Sequence, residues 1–200
     1  MSFISTGVEY GLHCLLSLTT PSEGRPEATV RDLATFQGVP SEYLAKLFTK
    51  LTKAGLVVAT EGSRGGFALA RAAGQISFLD VVEAIDGKKP LFECREIRTR
   101  CAVFGSEAPE WATAGVCSIH EVMLAAEKRM RDELASHSLA ELCSRVATKA
   151  PVEFGAQVSN WFEGRMASRH GNCGATKQGK ESEKQSRGHG PGNRRLVSGN

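Results

Sequence analysis

Apolar residues recur every three or four positions along the first part of the chain, and this spacing predicts three helices. The first covers residues 6–19, the second residues 29–39 and the third residues 40–55. Gly38 and Gly55 follow the apolar patterns of the second and third helices. Glycine commonly ends a helix because it adopts a left-handed backbone without steric cost, so these positions are the predicted helix ends.

The pattern then changes to two short apolar runs within residues 56–71, separated by the sequence EGSRGG, which predicts a two-stranded hairpin. The later elements are a helix at 77–87, an irregular stretch at 88–116, a long helix at 117–136, a short helix at 139–148 and a marginal helix at 151–166. From about residue 167 the chain is almost without apolar residues, which predicts a disordered tail.

Two helices joined by a tight turn and followed by a glycine-tipped hairpin are the plan of a winged helix-turn-helix, which binds double-stranded DNA. The second helix of the pair enters the major groove, and the hairpin reaches the neighbouring backbone or minor groove. The DNA-binding residues predicted on these two elements are Ser41, Glu42, Tyr43, Lys46, Lys50, Ser63, Arg64, Gly65 and Gly66. A small helical domain with a solvated charged face is the alternative interpretation.

Charge supports the DNA-binding interpretation locally and not globally. The whole chain carries a formal charge of +3, of which the segment from Arg165 onward contributes +6, so the preceding 164 residues carry −3. Within that acidic body, residues 25–71 hold seven basic and four acidic residues. The excess of positive charge therefore coincides with the predicted helix-turn-helix and hairpin, where phosphate contacts are needed.

The long helix at 117–136 has an apolar stripe that one small domain cannot cover. The stripe residues, and hence the predicted dimerisation residues, are Ile119, Val122, Met123, Ala126 and Met130. A two-fold dimer also matches a palindromic DNA site. The chain is therefore predicted to be mainly α with a small β wing, with a winged helix-turn-helix followed by a long dimerisation helix. The predicted division is 1–87 for DNA binding, 88–116 for a cysteine-bearing loop, 117–150 for dimerisation and 151–200 for a marginal helix and basic tail.

Several classes of protein are excluded by the composition. The chain is 41% hydrophobic and 24% charged, and it contains no apolar run of 18 residues, so no membrane span is expected. Its first residues lack the basic region of a signal peptide, and the expected location is the cytoplasm. No phosphate loop, HExxH motif or nucleophile with a positioned base is present, so an enzyme is not expected.

Six cysteines in a reducing compartment favour metal ligation or redox chemistry over a disulfide framework. Cys94, Cys101 and Cys117 are separated by six and fifteen residues and form no C-x-x-C pair, the spacing typical of zinc. Loosely spaced loop cysteines are more compatible with an iron–sulfur cluster, and reduced thiols without function are the alternative. The bystander cysteines are predicted to be Cys14, Cys143 and Cys173.

Three cysteines are one ligand short of a four-ligand set, and the first helix offers two further donors. Glu9 and His13 lie four residues apart and therefore share one face of that helix. The alternative is an ordinary pair on the helix surface, which contributes about 0.2–0.5 kcal/mol. His120, three residues after Cys117, is a rival donor.

Residues 3–148 resemble the IscR/NsrR-type winged-helix repressors, and within them the RsrR-like redox sensors. The resemblance rests on the segments GVEYGLHCLLSL, LATFQGVPSEYLAKLFTKLTKAGLV, EGSRGGFALAR and ISFLDVVEAIDG together with the three cysteines that follow them. It implies a homodimer that binds a palindromic DNA operator and senses redox state, nitric oxide or iron–sulfur status. It also implies an iron–sulfur cluster, 2Fe–2S rather than 4Fe–4S. In the RsrR-like branch this cluster is held by two cysteines of one subunit and by a Glu and a His that Glu9 and His13 match.

The fifteen residues between Cys101 and Cys117 exceed the usual spacing of the family. The three cysteines are therefore placed in order of preference as cluster ligands. Cys117 is preferred because it begins the long helix, where the helix N-terminus stabilises a thiolate. Cys101 is ranked second, and Cys94 is either a ligand in a different cluster form or a bystander. The resulting hypothesis is a repressor controlled by a redox- or nitric-oxide-sensitive cluster at the dimer interface. The alternative is a cluster-free winged-helix regulator that senses oxidants through its thiols.

Overall fold

The structure is a computed structural model that describes residues 3–19, 28–60 and 65–185, with side chains as far as residue 169. The helices within these ranges are α1 (Thr6–Ser17), α2 (Val30–Gln37), α3 (Ser41–Lys53), α4 (Phe78–Asp86), α5 (Glu110–Thr113), α6 (Ser118–Ser136), α7 (Leu139–Lys149) and α8 (Phe154–Gln185). The strands β1 (Val57–Thr60) and β2 (Gly66–Leu69) form one antiparallel hairpin. The prediction of a mainly α fold with a small β wing is confirmed.

Local capping chemistry explains where α2 and α4 begin and end. The Thr29 hydroxyl accepts a hydrogen bond from the backbone N–H of Asp32 at the start of α2, and Gly38 ends this helix with φ of 66°. At α4, Ser77 and Asp80 form a reciprocal capping box. Gly38 ends α2 as the sequence predicts.

The hairpin is attached to the helical body through its second strand. Val57 pairs with Leu69 and Thr60 with Gly66, so the two strands are in register over their whole length. The backbone N–H of Phe67 donates a 2.9 Å hydrogen bond to the carbonyl of Ala28, the residue that leads into α2. The hairpin, which is the wing of the fold, is thereby tied to the start of the helix-turn-helix.

The core lies between α1, α3 and α4. Its fully buried side chains include Leu15, Leu33, Leu44, Phe48, Leu51, Leu56, Ile76 and Val81. The approach of α1 to α4 is close at Gly11, where an added Cβ would lie 2.5 Å from the Cδ1 of Ile85. A larger residue at this position would therefore force the two helices apart.

The chain after residue 138 returns to this core instead of forming a separate unit. Leu139, Val158 and Phe162 are buried in the same cluster of apolar side chains. The ring of Phe36 on α2 lies 5.1 Å from the ring of Trp161 and 5.0 Å from that of Phe162. These contacts anchor α8 against the helix-turn-helix.

The predicted disorder from residue 167 is wrong as far as Gln185, because α8 continues to that residue. Once Val158, Trp161 and Phe162 anchor its first turns, each further residue adds a backbone hydrogen bond to an existing helix. The sequence-based prediction considered the tail's composition alone and therefore missed this effect. The rest of the predicted tail, residues 186–200, lies outside the described residues.

We expect Phe162→Ala to lower the free energy of unfolding by about 3 kcal/mol, because it deletes a buried ring from the junction of α8 and α2. Phe162 is 4% exposed, whereas Phe154, on the same helix, is 44% exposed. The matched control Phe154→Ala should therefore cost less than about 1 kcal/mol. Urea denaturation of the full chain measures both, and equal effects would contradict the role assigned to α8 in the core.

Candidate nucleic-acid interface and cysteine pair

One face of α3 is free of contacts with the core and carries the predicted recognition residues. Ser41, Glu42 and Tyr43 are exposed at its N-terminal end. Lys46 is exposed on the next turn. The same face continues through Ala45, Thr49 and Lys53, which the sequence analysis did not single out although their helical spacing from Glu42 could have identified them. The exposed face is therefore longer than predicted.

Two residues of the predicted set also make contacts inside the protein. The Tyr43 ring packs edge-on against Tyr10 of α1, with ring centroids 6.0 Å apart. The Lys50 ammonium donates a 2.6 Å hydrogen bond to the backbone carbonyl of Ile85, near the C-terminal end of α4. Lys50 therefore helps to join α3 to α4, a role that its spacing from Lys46 does not indicate.

The wing contributes glycines at the start of its second strand. Gly65 is half-buried, and the N–H of Gly66 donates to the hydroxyl of Thr60 across the hairpin at 3.3 Å. The predicted wing residues Ser63 and Arg64 lie outside the described residues.

The cysteine loop runs along the first turns of α6. The backbone N–H of Leu91 donates a 3.0 Å hydrogen bond to the carboxylate of Glu127, and the ring of Phe92 lies 6.1 Å from that of His120. Continuing in this direction, Cys94 comes close to Cys117, the residue that precedes α6, and each thiol influences the pKa of the other. Two cysteines separated by 22 intervening residues are thus neighbours.

A short polar network holds this arrangement. Glu96 has a left-handed backbone with φ of 48°, and its carboxylate accepts hydrogen bonds from the Arg98 guanidinium at 2.7 Å and from the Cys94 thiol at 3.6 Å. Arg98 also donates to the backbone carbonyls of Thr113 and Gly115, just before Cys117. One arginine therefore connects the segments that carry the two cysteines.

The two thiols differ in their readiness to ionise. The backbone N–H groups of His120 and Ile119 at the start of α6 donate to the Cys117 sulfur, and they lower the pKa of this thiol. At Cys94 a backbone hydrogen bond with Glu96 acts in the same direction, but burial and the Glu96 carboxylate outweigh it and raise the pKa. Cys117 is therefore the cysteine of the pair that ionises more readily.

The remaining predicted ligands are not beside this pair. Cys101 is exposed between two short 3-10 helices, Ile97–Arg100 and Ala102–Phe104. Glu9 and His13 are exposed on α1, where they line an open groove bordered by Leu134 of α6 and Val146 of α7. No group of three potential metal ligands converges anywhere in the described part of the chain.

The other cysteines are consistent with bystanders where they are described. Burial raises the pKa of the Cys14 thiol to about 12, which makes it unreactive at neutral pH. Cys143 is half-buried on α7, and the side chain of Cys173 lies outside the described residues.

The predicted dimerisation stripe of α6 divides into two parts. Ile119 and Val122 are 64% and 68% exposed, and Ala126 is exposed beside them. Met123 and Met130 are half-buried, and Met130 lines a small cavity with Leu79 and Val82 of α4. Met123 and Met130 therefore pack within the protomer, whereas Ile119, Val122 and Ala126 are exposed to solvent.

A helix pair with an exposed second helix and an attached wing defines the class of winged helix-turn-helix DNA-binding proteins. The Rrf2 family model, described as an iron-dependent transcriptional regulator, matches residues 4–145. The chain belongs to this family. It is a family of DNA-binding transcriptional regulators and not of enzymes, as the sequence predicts.

Individual relatives support the assignment. Protein rrf2 of Nitratidesulfovibrio vulgaris is 32% identical over 139 residues, covering 70% of this chain and 85% of its own. The transcriptional regulator IscR of Xenorhabdus nematophila is 29% identical over 133 residues, covering 66% and 74% respectively. The crystal structure of the oxidised form of CymR from Staphylococcus aureus is similar with a TM-score of 0.50 and 25% identity, over 72% of this chain and 96% of that one.

A search of the described helices for one long and apolar enough to cross a lipid bilayer finds no candidate.

We expect Lys46→Gln to weaken DNA binding and to lower the slope of log affinity against log salt by about one unit, because one phosphate contact is lost. Lys50→Gln removes the same charge, but its ammonium is bonded to the Ile85 carbonyl. This control should lower thermal stability and change the salt slope less than Lys46→Gln. Fluorescence anisotropy with labelled duplex DNA at several salt concentrations distinguishes them, and an unchanged slope for Lys46→Gln would place the interface elsewhere.

We expect Cys117 to react with iodoacetamide faster than Cys94 at neutral pH, because its pKa is lowered while that of Cys94 is raised. In metal-free protein under reducing conditions, peptide mass spectrometry at a series of pH values follows each site separately. The pH at which the alkylation rate of Cys117 is half-maximal should lie below the ordinary range of a thiol, and the corresponding pH for Cys94 should lie above it. A Cys94 reaction as fast as that of Cys117 would contradict the expected order of the two pKa values.

Proposed function

We propose that this protein is a transcriptional repressor whose binding to a palindromic operator is controlled by a redox- or nitric-oxide-sensitive iron–sulfur cluster at a dimer interface. The observation that carries the proposal is the proximity of Cys94 to Cys117 at the start of α6. The matching family model is that of an iron-dependent regulator, which favours iron as the metal. Membership in this family supports DNA binding. Control of that binding by a cluster is the part that is proposed here.

The donor set fits a cluster shared by two copies of the chain. One protomer presents two adjacent sulfur donors at Cys94 and Cys117, and a separate surface presents the carboxylate of Glu9 and the imidazole of His13. Two thiolates, one carboxylate and one imidazole would supply four donors to a cluster. The resemblance to the RsrR-like sensors favours 2Fe–2S. This choice moves Cys94 above Cys101 relative to the order inferred from the sequence.

A second copy is also favoured by the uncovered part of α6. Ile119 and Val122 would leave large apolar side chains in water on an isolated protomer. Pairing of two such helices buries these residues and creates the two-fold axis that a palindromic operator requires. The homodimer is therefore proposed to form through the exposed edge of α6.

The protein's own residues provide a route from the proposed ligands to the DNA-binding element. The amide of Gln37, the last residue of α2, donates a 3.3 Å hydrogen bond to the backbone carbonyl of His13. Through this hydrogen bond, a change in the position of His13 would shift Gln37 at the end of the first helix of the helix-turn-helix. When bound, the cluster supplies an electron acceptor whose oxidation state changes its charge, and α1 with Gln37 conveys the result to α2.

The second candidate function, thiol-based oxidant sensing without a cluster, is favoured by the same cysteine pair. A peroxide would oxidise the Cys117 thiolate to a sulfenic acid, releasing water or alcohol, and the neighbouring Cys94 thiol would then condense with it to a disulfide and water. The relative CymR has been crystallised in an oxidised form. This mechanism needs Cys94 and Cys117 but does not involve Glu9 or His13.

The visible absorption spectrum of anaerobically purified protein distinguishes the two functions. We expect a coloured protein with cluster bands, a loss of colour in Cys117→Ala and Cys94→Ala, and weakened cluster retention in Glu9→Ala and His13→Ala. Cys143→Ala is the matched control and should keep the wild-type spectrum, because this cysteine lies on α7 outside the pair.

A colourless wild-type protein that forms a Cys94–Cys117 disulfide on peroxide treatment would replace the first function by the second. A coloured protein whose Glu9→Ala and His13→Ala variants keep the full spectrum would remove α1 from the coordination sphere, and His120 or Cys101 would then be tested next.

A further inference from the structure

The start of α2 holds a buried carboxylate that is neutralised by the C-terminal helix. Asp32 is 4% exposed, and its two oxygens accept contacts from Arg165 at 3.1 Å and from Arg169 at 3.2 Å. The Thr29 hydroxyl donates to the same carboxylate at 2.6 Å. Both arginines belong to α8, which lies beyond residues 4–145 matched by the family model.

Positive charge exceeds negative charge at this corner. An open cavity of about 600 Å³ is lined by Arg31, Asp32, Arg165 and Arg169, together with the hydroxyls of Thr29 and Ser168. Three arginines and one carboxylate therefore line this cavity. Moreover, the Nε of Arg169 is buried and has no hydrogen-bond partner among the described residues. The site retains donor capacity and two unbalanced positive charges, which suits an anion.

Asp32 holds Arg165 and Arg169 in position, and the cavity keeps a net positive charge. Burial by itself would raise the pKa of the Asp32 carboxyl, but hydrogen bonds from Thr29 and Arg165 and the charge of Arg169 outweigh it and lower the pKa. The carboxylate thus stays ionised and holds two guanidinium groups in place. Arg165 is further held by the Trp161 ring, with its guanidinium carbon 5.5 Å from the ring centroid.

The corner lies on the side of the molecule that carries the wing. Ala28, one residue before the Thr29 cap, is hydrogen-bonded to Phe67 in β2. In helix-turn-helix proteins the first helix of the pair crosses the DNA backbone while the second lies in the major groove. A helix N-terminus also attracts phosphate through its free N–H groups and its dipole. The start of α2 is therefore a place where a DNA phosphate approaches.

We propose that α8 extends the DNA-binding surface: Arg31 of α2 and the Arg165–Arg169 pair of α8 bind a backbone phosphate beside the start of α2. Arg31 is exposed and forms the outer wall of the cavity, while Asp32 fixes the inner arginines. Such a contact is independent of base sequence, since it reads only the phosphate. The proposal does not depend on the cluster, because it concerns only the DNA-bound surface.

The test uses full-length protein as purified and a fluorescently labelled random-sequence DNA duplex. Arg31→Gln removes one charge without disturbing Asp32, and Ser168→Glu places a negative charge at the α8 side of the cavity. We expect each variant to bind about tenfold more weakly and Arg31→Gln to lower the salt slope by about one unit. Both positions are exposed, so circular dichroism should show wild-type folding.

Lys149→Gln is the matched control, because it removes one exposed positive charge at the end of α7. This variant should retain the wild-type slope of log affinity against log salt. A wild-type slope in Arg31→Gln together with wild-type affinity in Ser168→Glu would overturn the proposal. An equal loss in Lys149→Gln would also overturn it, since the effect would then reflect net charge and not this site. If visible spectra show that no cluster binds while Arg31→Gln still lowers the slope, the proposed sensor fails and this surface stands.

Discussion

The burial of one face of α3 is the constraint on which the rest of the structure depends. Leu44, Phe48 and Leu51 are buried completely, so the opposite face of this helix is held toward solvent at a fixed angle. A side chain of this size contributes roughly 1.5–3 kcal/mol when removed from water. The helices α1 and α4 and the strand β2, through Phe67, supply the surface that covers it. The exposure of the recognition face is therefore a consequence of packing, and any ligand effect that moves α1 also moves the support of α3.

The cysteine pair depends on a different kind of interaction. The loop that carries Cys94 contains little regular structure. It is held to α6 by the hydrogen bond from Leu91 to Glu127, and to the segment before α6 by Arg98, which also forms an ion pair with Glu96. Exposed contacts of this type are individually weak, and the loop is correspondingly easier to rearrange than the core. A rearrangement of this loop therefore need not unfold the DNA-binding element.

The C-terminal helix joins the DNA-binding element to the rest of the chain through two separate interfaces. Trp161 and Phe162 contribute apolar contacts with Phe36, whereas Arg165 and Arg169 contribute charge at Asp32. The apolar contacts secure α8 in place, and the charged contacts orient guanidinium groups beside α2. Because both interfaces involve α2, changes in α8 affect the helix-turn-helix directly.

Local signals in the sequence were sufficient for α1 to α4, for the hairpin and for α6 and α7. The caps at Thr29 and Ser77, the stop at Gly38 and the apolar period of α3 each act within a few residues. The helix end at Gly38 and the helix α3 have the predicted outcome. Periodicity also identified the exposed face that begins with Glu42, although not its extension to Lys53. The family resemblance, which rests on the same segments, led to the DNA-binding class.

Only the tertiary structure decided which distant residues meet. Cys94 rather than Cys101 lies beside Cys117, because Arg98 and Glu96 fold the intervening loop back onto α6. Lys50 bonds to Ile85, and Asp32 bonds to two arginines more than 130 positions away. The composition of the C-terminal segment predicted disorder from residue 167, yet its apolar contacts with Phe36 start a helix that continues to Gln185. Such pairings depend on the path of the whole chain, which spacing and periodicity do not encode, because they describe only neighbours along the sequence.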